Sequence, residues 1–187
     1  MTSKRFNNGW YNLASTCLSP HFNQRPDNEV SLLVIHNISL PAGCFGLPYI
    51  DDLFKGCIDV SADPSFKELE GLTVSAHFLI NREGAVTQYV SCDDRAWHAG
   101  VSQFESRENC NDFAIGIELE GTDDIAYTDE QYLSLTRLTQ QLMLQYPMIS
   151  LDRITGHCDI APGRKTDPGD SFDWQRYRQS LIKGQSF

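Results

Sequence analysis

Ser31-Leu-Leu-Val-Ile-His-Asn-Ile38 is a continuous apolar, mostly branched run that ends in a histidine and an asparagine. A strand with one wet face would alternate polar and apolar residues, so this run reads as a central strand buried on both faces. Such a strand needs a covering layer on each side, and the rest of the chain supplies candidates. Val74 to Ile80 and Ala85 to Val90 read as two strands joined by Asn-Arg-Glu-Gly, with Gly84 taking a positive φ in the hairpin loop. Ala114-Ile-Gly-Ile-Glu-Leu119 reads as another strand, with Glu118 on the face opposite the isoleucines and Glu120 as a glutamate facing water. Thr128 followed by Gln131 matches a helix capping box, and Leu135, Leu138, Leu142 and Tyr146 then recur at helical spacing up to Pro147. Short helices are expected near Ile50 to Phe54 and after Pro64, and a longer one from Asp173 to Ile182. The fold class is therefore α/β (mixed α+β), with one domain over residues 1–187 and a central mixed sheet flanked by helices. Residues 1–30, broken by Pro20 and Pro26, read as an arm held to the body by Trp10, Tyr11 and Phe22.

Composition narrows the function classes. The 187 residues carry 15 Lys+Arg against 25 Asp+Glu, a formal charge of -10, which argues against a nucleic-acid footprint. An anionic small molecule would need a local cationic pocket within that negative field. No stretch of 18 apolar residues marks a membrane span, and no apolar segment behind Lys4 and Arg5 marks a signal peptide. Six cysteines are scattered without a CxxC pair, and the economical reading is a cytoplasmic monomer with reduced thiols.

The chemistry concentrates in Gly156-His-Cys-Asp-Ile-Ala-Pro-Gly-Arg-Lys-Thr-Asp-Pro-Gly169, whose prolines and glycines exclude a helix interior and a central strand, so it reads as a loop. A catalytic zinc takes three protein ligands and keeps one open position. His36 at the strand end, with His157 and Asp167 in the loop, form one candidate set; a core histidine held by backbone is the competing reading of His36. Cys158, next to His157, points elsewhere. Glu118 in an apolar strand is costly unless paired or used, and burial raises its pKa toward the range of a general base or acid. Lys165, two residues before Asp167, could face a developing oxyanion or simply be solvated. Asp159 and Arg164 read as turn and surface residues, His77 as structural, and Trp97-His98 as a cleft wall with His98 third among the histidines as a ligand.

Leu33-Val-Ile-His-Asn-Ile-Ser-Leu-Pro41, Val74-Ser-Ala-His77, Arg95-Ala-Trp-His-Ala-Gly-Val-Ser102, Asn111 to Gly121 and Thr155 to Gly169 resemble the motifs of the cytoplasmic 1,6-anhydro-N-acetylmuramoyl-L-alanine amidases. The wider group includes phage amidases and peptidoglycan recognition proteins. The resemblance implies that zinc (Zn2+) is held by His36, His157 and Asp167, with Glu118 and Lys165 catalytic. It implies hydrolysis of the amide between the lactyl group of anhydro-N-acetylmuramic acid and L-alanine in recycled muropeptides, a step linked to β-lactamase induction. Asn37, Trp97 and Arg107 are the candidates for the substrate cleft, Arg107 standing in for family arginines absent near Thr73 and Asn109. A zinc-free binding module and a periplasmic amidase acting on intact wall are the competing readings. The intact five-residue set argues against the first, and the lack of a signal peptide and the free cysteines argue against the second.

Overall fold

The computed structural model describes residues 5–183. Six strands form the main sheet: β1 (Ser15–Thr16), β2 (Leu32–Ile38), β3 (Phe78–Ile80), β4 (Val86–Gln88), β5 (Ala114–Glu120) and β6 (Ile154–Gly156), in the spatial order β6-β2-β5-β3-β4-β1. β5 runs parallel to β2 and β3, β6 parallel to β2, and β1 parallel to β4, whereas β3 and β4 form the antiparallel hairpin, so the sheet is mixed. The hairpin turns at Gly84 with φ 78°, a conformation that costs glycine nothing.

Among the described residues four α-helices accompany the sheet: α1 (Tyr49–Lys55), α2 (Asp129–Gln145), α3 (His157–Ile160) and α4 (Trp174–Lys183). α2 begins as its sequence dictates: Gln131 N donates to Thr128 Oγ1 and Thr128 N donates to Gln131 Oε1, both at 3.1 Å. Its Leu135, Leu138 and Leu142 join Tyr177 and Leu181 of α4 over Leu33 and Ile35 of β2 and Ile115, Ile117 and Leu119 of β5. The residues between them point to the other face, where Leu32, Val34 and Ala114 meet Phe113 and Ile160. His36 and Glu118 belong to that second face and are direct register partners across β2 and β5. Gly156 pairs with Ile35, so His157 emerges beside His36 at the carboxyl ends of three parallel strands, where open α/β sheets hold their ligands.

The structure corrects several expectations. The strand over Val74 to Ile80 is confined to Phe78–Ile80: Ser75 gives its amide to Trp97 O, and the bonding to β5 begins with His77 N on Gly116 O. The arm is more than an appendage: it contributes edge strand β1 and pairs Phe22–Gln24 with Asp94–Ala96. Phe6 and Tyr11 anchor it, while Phe22 is 43% exposed and Trp10 half-buried. The loop from Gly156 starts with the helical turn α3, because Asp159 Oδ2 accepts from Gly156 N (2.9 Å) and Thr155 Oγ1 (2.8 Å) and closes that turn. Glu120 does not face water: it is 3% exposed and accepts from Gly46 N at 2.5 Å and Arg82 N at 3.1 Å.

Candidate metal centre and active site

His36 Nδ1, His157 Nδ1 and Asp167 Oδ2 form a triangle with all three separations 3.0 Å. Two elements and one loop meet there. β2 delivers His36, the first residue of α3 delivers His157, and the Pro/Gly segment folds back so that Asp167 O accepts from Cys158 N at 2.9 Å. Ala161 O accepts from both Arg164 N and Lys165 N (3.1 Å each) and tightens the return. Among the described residues these three side chains are the ones grouped closely enough to share a metal ion.

The protonation states suit a cation. Burial lowers the His36 pKa to about 4, so this ring is neutral near pH 7. Burial pushes the Asp167 carboxyl upward, but the close His157 and His36 rings outweigh it and hold the group below the usual carboxylate range. His157 Nε2 lies 3.1 Å from the Ala99 carbonyl oxygen, which can only accept, so the ring proton is on Nε2 and Nδ1 is bare. Lone pairs from imidazole and carboxylate converging at 3.0 Å repel unless a proton or cation lies among them. Two imidazole nitrogens and one carboxylate oxygen are a donor set zinc accepts, so the residues fit it.

Glu118 is 8% exposed and its Oε2 has no hydrogen-bond partner. Burial raises its pKa well above the carboxylate range, Asp167 adds to the rise and Lys165 opposes it. Asp167 and Lys165 open onto a cleft of about 570 Å3 that Asn37, Thr122, Asp123 and Arg164 also line. Asn37 is fixed there by donating Nδ2 to Asp123 Oδ1 at 2.8 Å. A second cleft of about 350 Å3, with Val101, Ser102 and Asn109 on its wall, shares Arg164 with the first.

Two expected cleft residues are committed elsewhere. Arg107 donates to both Glu29 carboxylate oxygens at 2.8 Å and lies over the Phe113 ring at 4.0 Å, so it is not a free cation waiting for a substrate carboxylate. Trp97 donates Nε1 to Asn23 Oδ1 at 2.7 Å, stacks on His21, and does not line the 570 Å3 cleft. Conversely, Arg164 is more than a surface residue: it holds Ala99 O and Val101 O at 2.7 Å each. Its spacing from His157 gave no signal of this, because both acceptors come from backbone about 60 residues away.

The N-acetylmuramoyl-L-alanine amidase family model matches residues 26–170. The chain belongs to this amidase family. It is 60% identical over 176 residues to the 1,6-anhydro-N-acetylmuramyl-L-alanine amidase AmpD of Escherichia coli K12, covering 94% of this chain and 96% of that one. A crystal structure of a selenomethionine AmpD derivative superposes with a TM-score of 0.92 at 56% identity, covering 94% and 98% of the two chains. AmpDh3 of Pseudomonas aeruginosa, solved with anhydromuramic pentapeptide, is 29% identical with a TM-score of 0.61 over 87% of this chain and 62% of that one. The amidase chain described here is thus an N-acetylmuramoyl-L-alanine amidase, a hydrolase of peptidoglycan recycling. No helix among its described residues is long and apolar enough to cross a membrane.

Proposed function

We propose that this amidase is a zinc enzyme of the cytoplasm that cleaves recycled 1,6-anhydro muropeptides between the lactyl carbonyl and L-alanine. As a monomer, it would lower the pool of muropeptides tied to β-lactamase induction. The observation that carries the reading is the 3.0 Å triangle of His36 Nδ1, His157 Nδ1 and Asp167 Oδ2, with the unpartnered Oε2 of Glu118 nearby. Bound at those three atoms, zinc would acidify water and polarise the scissile carbonyl.

The chain's own groups carry the proton and the charge. Glu118 takes a proton from the attacking water as the water oxygen bonds to the lactyl carbonyl carbon. It then gives that proton to the alanine nitrogen as the carbon–nitrogen bond breaks. Its desolvated carboxyl is a stronger base than an exposed one, which suits the first half of that cycle. Lys165 presents its ammonium to the oxyanion, and Asn37, held by Asp123, offers a fixed amide edge to substrate in the cleft. Arg164 and Lys165 are the cations of a cleft that also carries Asp123, Asp124 and Asp167, and they are the groups an anionic muropeptide would meet in a chain of charge -10.

Side-by-side cleavage of an anhydro muropeptide and its non-anhydro counterpart, each with and without zinc removal, tests the proposal. Preference for the anhydro sugar with loss of cleavage after zinc removal is expected. Equal rates on both sugars would point to an enzyme of intact wall, and cleavage untouched by zinc removal would refute the metal role.

A further inference from the structure

His98 stands next to the metal triangle, outside it, and is used by no step above. Its Nδ1 lies 2.9 Å from His36 Nε2, with the two rings nearly perpendicular at 85°. Its own Nε2 is buried without a partner, one of two such side-chain atoms among the described residues; the other is Glu118 Oε2. A buried N–H left unpaired is costly, so its persistence calls for a compensating role at the other end of the ring.

That role follows from where the protons must sit. His36 can offer a lone pair at Nδ1, the atom facing His157 and Asp167, only in the tautomer that carries its proton on Nε2. The Nε2 proton then points at His98 Nδ1, which must be bare to accept it. A neutral His98 that is bare at Nδ1 is protonated at Nε2, the orphaned atom. The unsatisfied nitrogen is the necessary counterpart of an acceptor aimed at His36. His157 is set in the same way by the next residue, whose carbonyl takes its Nε2 proton at 3.1 Å.

We propose that His98–Ala99 is a two-residue clamp that fixes the tautomers of both metal histidines, with the His98 ring as the positioning residue for His36. The clamp is built to hold still. Asn111 Oδ1 accepts from His98 N at 3.0 Å and from Ala99 N at 2.8 Å, and buried Arg25 holds the Asn111 carbonyl at 3.1 Å. The ring lies against Gly116 of β5, where a Cβ would come within 2.5 Å of His98 Cγ and 2.6 Å of Nδ1. This accounts for a glycine in the middle of a central strand: the space of its missing side chain is occupied by the clamp.

The inference rests on the metal reading of the triangle, and zinc affinity separates the two. Asn at position 98 places its amide oxygen where His98 has Nδ1, one bond from Cγ, whereas Leu has no acceptor. In competition with a chelator, His98→Leu is expected to weaken zinc binding about 10- to 100-fold and His98→Asn to recover most of it. His98→Leu with wild-type affinity overturns the clamp, as does equal weakening in both folded variants, since shape rather than acceptance would then matter. The tautomer is read independently by nitrogen NMR of the zinc-loaded wild type: a proton on His36 Nε2 supports the clamp, and its absence overturns it even where His98→Leu fails to fold. A wild-type chain that binds no zinc removes the metal reading itself, and the clamp with it.

Discussion

Two buried histidines, His36 and His77, are 1% and 0% exposed, yet their ring nitrogens are spent differently. Both ring nitrogens of His77 have partners within the fold: Gly116 N donates to its Nδ1 at 3.0 Å, and its Nε2 lies 3.1 Å from both Asp94 O and Arg25 Nη2. His36 is different, because its Nδ1 faces another imidazole nitrogen and a carboxylate, both acceptors in their ordinary states. Glu118 and Glu120 repeat the contrast two residues apart in one strand. Glu120 is saturated by the Gly46 and Arg82 amides, while Glu118 keeps a bare oxygen. Burial alone does not separate these residues; an unspent lone pair close to the Asp167 carboxylate does.

The contrast is sharpest where metal and chemistry part company. His36→Ala is expected to lose zinc outright, whereas Glu118→Ala keeps one zinc per chain and loses about 10²- to 10⁴-fold in turnover. Metal analysis of the two purified variants checks this, and a zinc-free Glu118→Ala protein would break the division of roles. Lys165→Met is expected to retain zinc and fold and to cost about 10²- to 10³-fold in kcat with little change in KM, as for loss of an oxyanion partner. A change confined to KM would assign Lys165 to substrate binding.

How much of this was legible in the sequence depends on how local each signal is. Strand β2, helix α2 and its capping box were readable, because periodicity and capping are properties of adjacent residues; His36 at a strand end and His157 with Asp167 in one loop were legible as candidates, but their 3.0 Å meeting spans 121 and 131 residues of chain. The arm was not. Two- and three-residue strands carry no pattern, and Arg25 gave no sign that its guanidinium would be buried with the carbonyls of Cys92, Asn111, Asp112 and Ala114 around it. Glu120 and Arg107 were misread for the same reason: their partners, Gly46, Arg82 and Glu29, are brought by the fold from 38 to 78 residues away. His98 was assigned to a cleft wall because its partner is 62 residues distant.

The structural member of each pair should fail through stability instead. His77→Leu unpairs the Gly116 amide and is expected to cost about 2 kcal/mol by denaturant titration, with zinc affinity of the folded protein unchanged. Loss of zinc at full stability would erase the distinction between the histidines. The smallest effect is in the glutamates, measured in zinc-free protein. Burial raises the Glu118 pKa in the folded chain, so its ionised form destabilises the fold above the ordinary glutamate range, and that penalty disappears once both folded and unfolded chains are protonated. Glu118→Gln is therefore expected to raise Tm near neutral pH, with the gain fading as pH falls through about 4.3. Glu120→Gln, which replaces a carboxylate holding two amides, is expected to lower stability by about 1 kcal/mol at neutral pH. The same sign for both glutamates would contradict the comparison.

His36 Nδ1, His157 Nδ1 and Asp167 Oδ2 are three unspent donor atoms that could hold a metal ion, and the proposed function requires that they do. The most direct measurement is cleavage of an anhydro muropeptide by protein stripped of metal and then titrated with zinc. Activity that vanishes on stripping and returns at one zinc per chain is the predicted result; cleavage that persists in the stripped protein, or that zinc fails to restore, would contradict it.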